Sequence, residues 1–447
     1  MNRIMITAPT SGGGKTAFTC ALLRVLANRG LKTAAFKCGP DYIDPMLHRR
    51  AAGGKCRNLD LFLASPERVK SLFVQACGGV DAAVAEGVMG YYDGLGGVTD
   101  TASSWQTAAA LDFPAVLVVN PKGAGLTMAA QIKGMLDFRR PSGIIGIILN
   151  NCTASQSKFY INLFESETGL PILGCLPHCD EAEIPSRHLG LQTAGEIDNL
   201  DKKLDILAES LESNTDIDDL LALCRRPDIP PETVKTVPTQ ARIAVARDEA
   251  FCFIYDETID ALRDAGAEIV YFSPIHSEKL PVGIGGLYLP GGYPELYAER
   301  LAANDGMRRQ ICQAVTNGLP TAAECGGFMY LCRSIENETG LSYPMAGVID
   351  SVTVKKNRLV RFGYAYMTAK SDGLLFDKGD SVPIHEFHYW DASICGSDFD
   401  LVKPISKKSW QGGFNTPTLY AGFPHLYFAG EPTLAERFVS KAAEAMR

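Results

Sequence analysis

The segment best suited to chemistry lies near the N-terminus, where glycines precede a lysine and a threonine. It reads Ala8-Pro9-Thr10-Ser11-Gly12-Gly13-Gly14-Lys15-Thr16. Glycines let backbone N–H groups turn inward around phosphates, Lys15 can reach the β and γ oxygens, and Thr16 is placed to ligand Mg²⁺. The usual pattern has glycine where this chain has Pro9, and a Gly-rich surface turn is the alternative. Because strand, loop and helix patterns come in the required order, the segment predicts a phosphate-binding loop.

Two acidic loops follow later strand-like runs of the same half. Lys37-Cys38-Gly39-Pro40-Asp41-Tyr42-Ile43-Asp44-Pro45 places two carboxylates around an aromatic side chain in a Pro-fixed loop. Glu86-Gly87-Val88-Met89-Gly90-Tyr91-Tyr92-Asp93-Gly94 follows the third strand, with Glu86 where nucleotide-binding proteins hold an acid associated with Mg²⁺. Ligands of open α/β sheets bind at the carboxyl ends of the strands. Each acid taken alone is equally compatible with a solvated turn.

The C-terminal half contains a cysteine on a predicted sharp turn. Leu319-Pro320-Thr321-Ala322-Ala323-Glu324-Cys325-Gly326-Gly327 reads as strand, turn and helix. Glycine after a nucleophile permits the strained turn and leaves the Gly326 N–H free for an oxyanion hole, to which Gly291 and Gly292 would add donors. A buried core thiol is the alternative for Cys325.

A thiol nucleophile needs a base that holds it as thiolate. His425 follows a Gly-Phe-Pro turn at a strand edge, which suits approach to Cys325. His385 and His388 lie in one strand-like run, where a substrate-facing role and a structural hydrogen-bonding role remain equally open.

The elements that would position these residues alternate along the first ~200 residues, a length typical of one domain. Short aliphatic runs read as buried parallel strands, with amphipathic helices between them; the runs are Ile4–Ala8, Thr33–Phe36, Asp81–Ala85, Ala115–Val119 and Gly143–Leu149. This alternation predicts a doubly wound α/β sheet. Polar and Pro-rich residues 196–240 predict a helical tail and linker, and a new α/β pattern begins at Arg242. Later runs, Ser351–Val354 and Leu359–Met367, look antiparallel.

Composition narrows the classes of function. The 447 residues carry 43 Lys and Arg against 51 Asp and Glu, a net charge of -8 that argues against a general nucleic-acid or acidic-membrane binder. The 13 cysteines are scattered, without zinc-finger spacing, and read mostly as reduced core thiols. No apolar run approaches the roughly 20 residues that span a bilayer. We therefore expect a cytoplasmic protein.

Taken together and in order, the motifs resemble the cobyrinic acid a,c-diamide synthase family of corrinoid synthesis. The resemblance covers nearly the whole chain, and its further markers are Arg187-His188-Leu189-Gly190-Leu191, Ile243-Ala244-Val245-Ala246-Arg247-Asp248, Leu289-Pro290-Gly291-Gly292-Tyr293-Pro294-Glu295 and His385-Glu386-Phe387-His388. It implies a dethiobiotin-synthetase-like P-loop domain over 1–195, a helical tail and linker over 196–240, and a class I glutamine amidotransferase-like α/β domain over 241–447. The implied activity is ATP- and glutamine-dependent amidation of two acetate carboxylates of a tetrapyrrole.

The resemblance also implies roles for single residues. Cys325 attacks glutamine with His425 as its base, although the glutamate that usually stands two residues later in class I enzymes is Tyr427 here. ATP and Mg²⁺ are organised by Gly12, Gly13, Gly14, Lys15, Thr16 and Glu86, with Asn150 as an adenine contact. The substrate-facing residues are Asp41, Tyr42, Asp44 and Asp93. The expected partner is a corrinoid, with no nucleic acid and no membrane, and a homodimer is allowed.

Two alternatives remain at this stage. Hydrogenobyrinic acid or nickel-sirohydrochlorin would need the same two acetates amidated, and the motifs do not separate them from cobyrinic acid. From another class, a P-loop ATPase switch or partition-type binding protein with an inactive second domain would share the N-terminal loop. A pure switch needs no thiol nucleophile, so Cys325 on its turn disfavours it.

Overall fold

Aliphatic runs become the strands of the N-terminal unit, Met1–Thr233, in a computed structural model that describes residues 1–187, 190–230 and 237–447. Its strands are β1 (Asn2–Thr7), β2 (Thr33–Cys38), β3 (Cys56–Leu59), β4 (Ala82–Glu86), β5 (Ala115–Val119), β6 (Ile144–Asn150), β7 (Ile172–Leu176), β8 (Ser186–Arg187) and β9 (Gly190–Leu191). Its helices are α1 (Lys15–Asn28), α2 (Ile43–Ala52), α3 (Pro66–Cys77), α4 (Ser104–Leu111), α5 (Leu126–Phe138), α6 (Ala154–Thr168), α7 (Leu200–Asn214) and α8 (Ile217–Leu223).

Seven of these strands form one sheet in the order β3-β2-β4-β1-β5-β6-β7. Every neighbouring pair is parallel, because each strand is followed by a helix that returns the chain to the same end of the sheet. The predicted doubly wound sheet is confirmed. The sheet brings the ends of β1, β2 and β4 together, and these are the ends that carry the predicted phosphate loop and acidic loops.

The helical segment after the sheet belongs to the core of this unit. Leu204 and Leu211 of α7 and Leu220 of α8 are fully buried in the cluster that also contains Phe18 and Leu22 of α1. The segment predicted as a helical tail therefore covers one face of the sheet. The predicted domain bounds, 195 and 240, stay a sequence-based prediction, and linker residues 231–236 lie outside the described residues.

The C-terminal unit, Val234–Arg447, contains the remaining elements. Its strands are β10 (Ala241–Ala246), β11 (Ala267–Phe272), β12 (Gly286–Leu289), β13 (Thr321–Glu324), β14 (Cys332–Glu336), β15 (Ser342–Pro344), β16 (Ile349–Lys355), β17 (Arg361–Ala369), β18 (Ser381–His388), β19 (Trp390–Ala392), β20 (Phe399–Val402), β21 (Ser409–Gly412), β22 (Phe414–Asn415) and β23 (Leu419–Gly422). Its helices are α9 (Asp256–Asp264), α10 (Ala298–Ala303), α11 (Asp305–Thr316), α12 (Gly326–Leu331) and α13 (Pro432–Ala445).

The central sheet of this unit has the order β11-β10-β12-β13-β23-β22. Its first five strands are parallel and only β22 runs antiparallel. The carboxyl ends of β12, β13 and β23 are therefore adjacent, and the predicted nucleophile, glycine pair and base all follow these three ends. In the outer sheets β17 is antiparallel to both neighbours, as predicted, whereas β16 pairs parallel with β14 and antiparallel with β19.

None of the 13 cysteines, all of which lie in the described ranges, forms a disulfide bond, and nine of them are buried. The burial of nine cysteines agrees with the interpretation of many of them as small core residues, and their reduced state stays a prediction. Within the ranges described above, none of the helices combines the length and the apolar character that crossing a membrane requires.

Candidate functional site

The Gly-rich loop joins β1 to α1, and its backbone requires glycine. Gly12 and Gly14 have φ of 74° and 95°, in the left-handed region that side chains disfavour. A Cβ on Gly14 would lie 2.0 Å from Asn150 Nδ2, and a Cβ on Gly13 would lie 2.8 Å from Ala8 Cβ. The loop is thus packed closely behind its glycines, which keeps its backbone N–H groups in place at the start of α1.

Lys15 and Thr16 begin α1 and face acceptors at the end of β4. Lys15 Nζ donates to two backbone carbonyls, including that of Met89 at 2.7 Å. Burial and the nearby charge of Lys37 lower the pKa of Lys15 to about 8, and a phosphate group would favour its charged form again. Thr16 Oγ1 donates to Glu86 Oε1 at 2.8 Å. A helix N-terminus with an adjacent ammonium is suited to bind phosphate.

Glu86, the last residue of β4, is the centre of a buried charged cluster. Its Oε1 accepts from Lys37 Nζ at 2.7 Å and its Oε2 lies 2.7 Å from His48 Nε2. Burial by itself would raise the pKa of Glu86, but Lys37 and His48 outweigh burial and hold that pKa well below its usual range. Neither Lys37 nor His48 was predicted as a site residue. A lysine inside the apolar strand Thr33–Cys38 is the sequence signal that could have found the first.

Asp41, just before α2, and Asp44, in the first turn of α2, lie beside this cluster. Lys37 Nζ lies 2.6 Å from Asp44 Oδ2. Burial, followed by the charge of Asp41, raises the pKa of Asp44 to about 7. Asp41 Oδ1 accepts from the N–H groups of Ile43 and Asp44, and Tyr42 precedes the helix. The prediction of one loop holding both acids is wrong for Asp44, which lies in the first turn of α2, where the Asp41 carboxylate accepts from two backbone N–H groups that have no partner within the helix.

Asp93 and Asn150 each support a glycine-containing loop. Asp93 Oδ2 accepts from the Gly90 N–H at 2.9 Å. Asn150 ends β6, and its Nδ2 donates to the Gly13 carbonyl at 3.2 Å. Asn150 therefore fixes the phosphate loop, while its predicted contact with adenine stays a prediction.

The oxygen atoms at the carboxyl ends of the N-terminal strands are suitable ligands for Mg²⁺. The Thr16 hydroxyl and the Glu86 carboxylate are hard oxygen ligands of the type that Mg²⁺ prefers, and Mg²⁺ usually keeps several waters and phosphate oxygens as well. Among the described residues, no group of three or more His, Cys, Asp or Glu side chains is arranged to hold a metal ion.

In the C-terminal unit, Cys325 stands on the turn between β13 and α12. Its φ of 45° and ψ of -102° are unusual for a residue with a side chain, and its N–H donates to the Gly422 carbonyl at 2.7 Å. Burial, followed by the charges of Glu295 and Glu386, raises the pKa of the Cys325 thiol well above its usual range. The predicted order of strand, sharp turn and helix is confirmed. The thiol is neutral without a base.

The glycines predicted for the oxyanion hole surround this turn. The Gly292 backbone nitrogen lies 3.0 Å from the position that a Gly326 Cβ would occupy. Gly291 has an additional role, since its Cβ would lie 2.5 Å from His425 Cε1. Glycine at that position makes room for the imidazole, a requirement that the sequence prediction did not include.

His425 is held by backbone pairing with β18. Its N–H donates to the His385 carbonyl at 2.9 Å, and the His385 N–H donates back at 3.4 Å. Burial, and then the charge of His388, lowers the pKa of His425 to about 3, so the ring is a neutral base near pH 7. Cys325 and His425 follow the adjacent parallel strands β13 and β23 and therefore lie at one edge of the sheet.

A cavity in this unit has polar walls that were not predicted. Pro424, directly before His425, lines it together with Arg361, Glu386 and His388. Glu386 and His388 are 2% and 6% exposed. Glu386 Oε2 and His388 Nε2 have no hydrogen-bond partner in the part of the chain that the structure describes. Glu386 and His388 are two residues apart in β18 and therefore share one face of the strand, but nothing in the sequence indicated that this face lines a cavity.

Comparison with known proteins assigns a domain family to each of the two units. Residues 4–191 match the CobQ/CobB/MinD/ParA nucleotide binding domain, and residues 242–431 match the CobB/CobQ-like glutamine amidotransferase domain. A nucleotide-binding domain joined to a glutamine amidotransferase domain defines a glutamine-dependent, amide-forming ligase.

The relatives are similar along nearly the full chain. The cobyrinate a,c-diamide synthase of Picrophilus torridus is 38% identical over 98% of both chains, and that of Caldanaerobacter subterraneus subsp. tengcongensis is 36% identical over 98% of both. The enzyme of the same name from a Synechococcus strain is 37% identical over 99% of this chain and 98% of its own. The chain belongs to the cobyrinate a,c-diamide synthase family.

Proposed function

We propose that the chain converts the a and c acetate carboxylates of cobyrinic acid into amides in cobalamin biosynthesis, with ATP and glutamine as co-substrates. The observation that carries this proposal is a phosphate loop and a thiol–imidazole site on one chain that is similar to synthases of this name over 98% of its length. The reaction needs both sites, one to activate the acid and one to supply ammonia.

The N-terminal unit would activate the carboxylate. A carboxylate oxygen attacks the γ-phosphorus of ATP, the bond to the bridging oxygen breaks, and ADP leaves as an acyl phosphate forms. Lys15 and the loop N–H groups would hold the transferred phosphoryl group and stabilise its charge. Thr16 and Glu86 would hold Mg²⁺, which neutralises phosphate charge when bound. Ammonia then attacks the acyl carbon and phosphate leaves, which completes one amide.

The acids at the edge of this sheet would face the substrate. A tetrapyrrole rich in carboxylates is repelled by ionised acids, but Asp44, whose pKa is raised to about 7, is protonated in a large fraction of molecules. A protonated Asp44 can donate a hydrogen bond to a substrate carboxylate. Asp41, Tyr42 and Asp93 are the other residues that we assign to substrate binding.

The C-terminal unit would release ammonia from glutamine. His425 takes the thiol proton as Cys325 Sγ bonds to the amide carbon, and the N–H groups of Gly292 and Gly326 would stabilise the oxyanion. The C–N bond breaks and the nitrogen leaves as ammonia with the proton from His425. Water hydrolyses the thioester, which gives glutamate and restores the thiol.

The polar cavity is our candidate for the amino-acid end of glutamine. Glu386 supplies a buried anion for the α-ammonium group, and Arg361 supplies a cation for the α-carboxylate. Phe423, which lines the cavity, directly follows Gly422, whose carbonyl accepts from the Cys325 N–H, so the cavity lies close to the nucleophile. A zwitterion would satisfy both charges at once.

A cytoplasmic location and a homodimer complete the proposal. Thirteen free thiols support a reducing compartment. The homodimer stays a prediction from the family resemblance.

Replacement of the nucleophile tests the proposed division of labour. Cys325→Ser is expected to abolish amidation with glutamine, because the hydroxyl is a far weaker nucleophile than the thiolate, and to leave amidation with free ammonia intact. Product formation is measured with each nitrogen source. Loss of both activities in a protein that unfolds like wild type would make Cys325 a structural residue and contradict the assignment.

A further inference from the structure

In class I enzymes a glutamate two residues after the histidine completes a catalytic triad with the cysteine and the histidine. In this chain the residue at that position makes other contacts. Tyr427 takes that position, and its hydroxyl donates to Glu257 Oε1 at 3.1 Å. Its ring packs edge-on against Tyr255, with centroids 5.2 Å apart. A histidine base in a dry site gains a positive charge when it takes a proton, and that charge needs a nearby anion.

A buried carboxylate reaches His425 from a different direction. Glu324, the last residue of β13 and the neighbour of Cys325, is 1% exposed, and its Oε2 lies 3.8 Å from His425 Nδ1. The side chain comes from the strand beside β23, so it approaches the imidazole across the sheet. A separation of 3.8 Å is ion-pair distance, and catalytic hydrogen bonds are often this long before substrate binds.

We propose that Glu324 is the residue that orients His425 and balances its charge, so that the nucleophile and the third triad member are adjacent in the sequence. The inference rests on the proposed roles of Cys325 and His425. In this arrangement the Nδ1–H of His425 faces Glu324, and Nε2 is the nitrogen that takes the thiol proton. Glu324 acts through the histidine and is a positioning residue.

The surroundings of Glu324 determine when its carboxyl group is ionised. Burial raises the pKa of Glu324 to about 8, although hydrogen bonds from the Leu426 backbone N–H and the Tyr288 hydroxyl favour the charged form. Among the residues that the structure describes, the titratable groups that interact with Glu324 besides His425 are the Cys325 thiol and the hydroxyls of Tyr288 and Tyr420. These thiol and phenol groups are neutral near pH 7. Proton transfer from Cys325 to His425 therefore places the first positive charge beside Glu324.

The sign of the pH dependence follows from the raised pKa. Below about pH 8 the carboxyl group is mostly protonated, and above about pH 8 the carboxylate that balances the imidazolium predominates. Glutamine-dependent ammonia release in the wild-type protein should rise with pH through about 8. A residue that only fills space would not impose this inflection.

Two substitutions test the proposal on the full-length protein. Glu324→Gln keeps the shape of the side chain and its ability to accept from Leu426 and Tyr288, but removes the charge. We expect kcat for glutamine hydrolysis to fall about 100-fold, within the range that general acid–base groups contribute, with KM nearly unchanged. The inflection near pH 8 should disappear. Glu324→Asp restores a carboxylate and should recover part of the rate together with the inflection.

Two controls separate this proposal from its alternatives. Glu257→Gln removes a different buried carboxylate, the one bound by Tyr427, and should leave kcat and the inflection as in wild type. Loss of activity in Glu257→Gln but not in Glu324→Gln would overturn the proposal, as would an unchanged pH profile in Glu324→Gln. Near-UV circular dichroism verifies folding of each variant. Cys325→Ser is measured in parallel, because glutamine hydrolysis that survives in Cys325→Ser would refute the proposed nucleophile independently of Glu324.

Discussion

Glu86 and Glu324 occupy the same kind of position in two different sheets, but their pKa values are shifted in opposite directions. Each is the last residue of a buried parallel strand, and each is 1% exposed. Glu86 contacts Lys37 and His48, which hold its pKa well below the usual range despite burial. Glu324 has hydrogen-bond donors without a formal positive charge, and burial raises its pKa to about 8. The first is thus a permanent anion suited to a metal–nucleotide site, and the second is suited to respond to a charge that appears during the reaction.

Replacement of Glu386 tests the assignment of the polar cavity to glutamine. Glu386→Gln removes the proposed partner of the α-ammonium group, and a hydrogen bond to a charged group contributes about 1.5–3 kcal/mol, so KM for glutamine should rise roughly 10- to 100-fold. Activity with free ammonia should not change. Steady-state kinetics with the two nitrogen sources measure both effects. The exposed Glu338→Gln serves as the control, and an unchanged KM in Glu386→Gln would exclude the cavity as the glutamine site.

At the scale of elements, both sites lie where parallel strands end and a helix or tight turn begins. Backbone geometry at these junctions depends on glycines that accept left-handed φ or leave room for a neighbour. Gly14 does both, since its φ is 95° and a Cβ would lie 2.0 Å from Asn150 Nδ2. Gly291 leaves room for His425 in the second unit. The elements are therefore arranged to bring loops to these positions, and small residues permit the close approach.

Substitution at Gly14 should disturb nucleotide binding through the loop backbone. Gly14→Ala introduces a side chain at a positive φ and against Asn150, so we expect the affinity for ATP, measured by isothermal titration calorimetry, to fall at least about tenfold, which corresponds to about 1.4 kcal/mol. Gly134→Ala in α5 is the matched control, because no atom lies within 4 Å of its Cβ position. It should leave ATP affinity unchanged and stabilise the helix by up to about 1 kcal/mol. Wild-type affinity in Gly14→Ala would contradict the described loop.

The sequence predicts local structure well and side-chain partners across strands poorly. The aliphatic runs at 115–119 and 33–36 lie within strands of the structure, and the sharp turn at Cys325 is present because local patterning determines each of them. The short strands β3 and β7 were not predicted, since their sequences lack a long aliphatic run. The contact of Glu324 with His425 depends on strand order, which brings together residues distant along the chain. Motif spacing contains no information on that contact.

At the scale of the whole molecule, the chain divides the chemistry between two units of similar size. Each has its own parallel sheet and its own hydrophobic core. The net charge of -8 does not favour a substrate with many carboxylates. The buried Lys37, which lies 2.6 Å from Asp44 Oδ2, offsets negative charge at the edge where such a substrate would bind, and burial raises the pKa of Asp44 to about 7. Local electrostatics, rather than net charge, would then decide recognition.

The central claim is that this chain amidates two acetates of cobyrinic acid with nitrogen from glutamine. The most direct measurement is the mass of the tetrapyrrole after incubation with the full-length protein, ATP, Mg²⁺ and glutamine, with hydrogenobyrinic acid and nickel-sirohydrochlorin in parallel reactions. Each amidation replaces OH by NH₂ and lowers the mass by about one dalton. We predict two successive decreases for cobyrinic acid that require both ATP and glutamine. An unchanged mass for cobyrinic acid under these conditions would contradict the account.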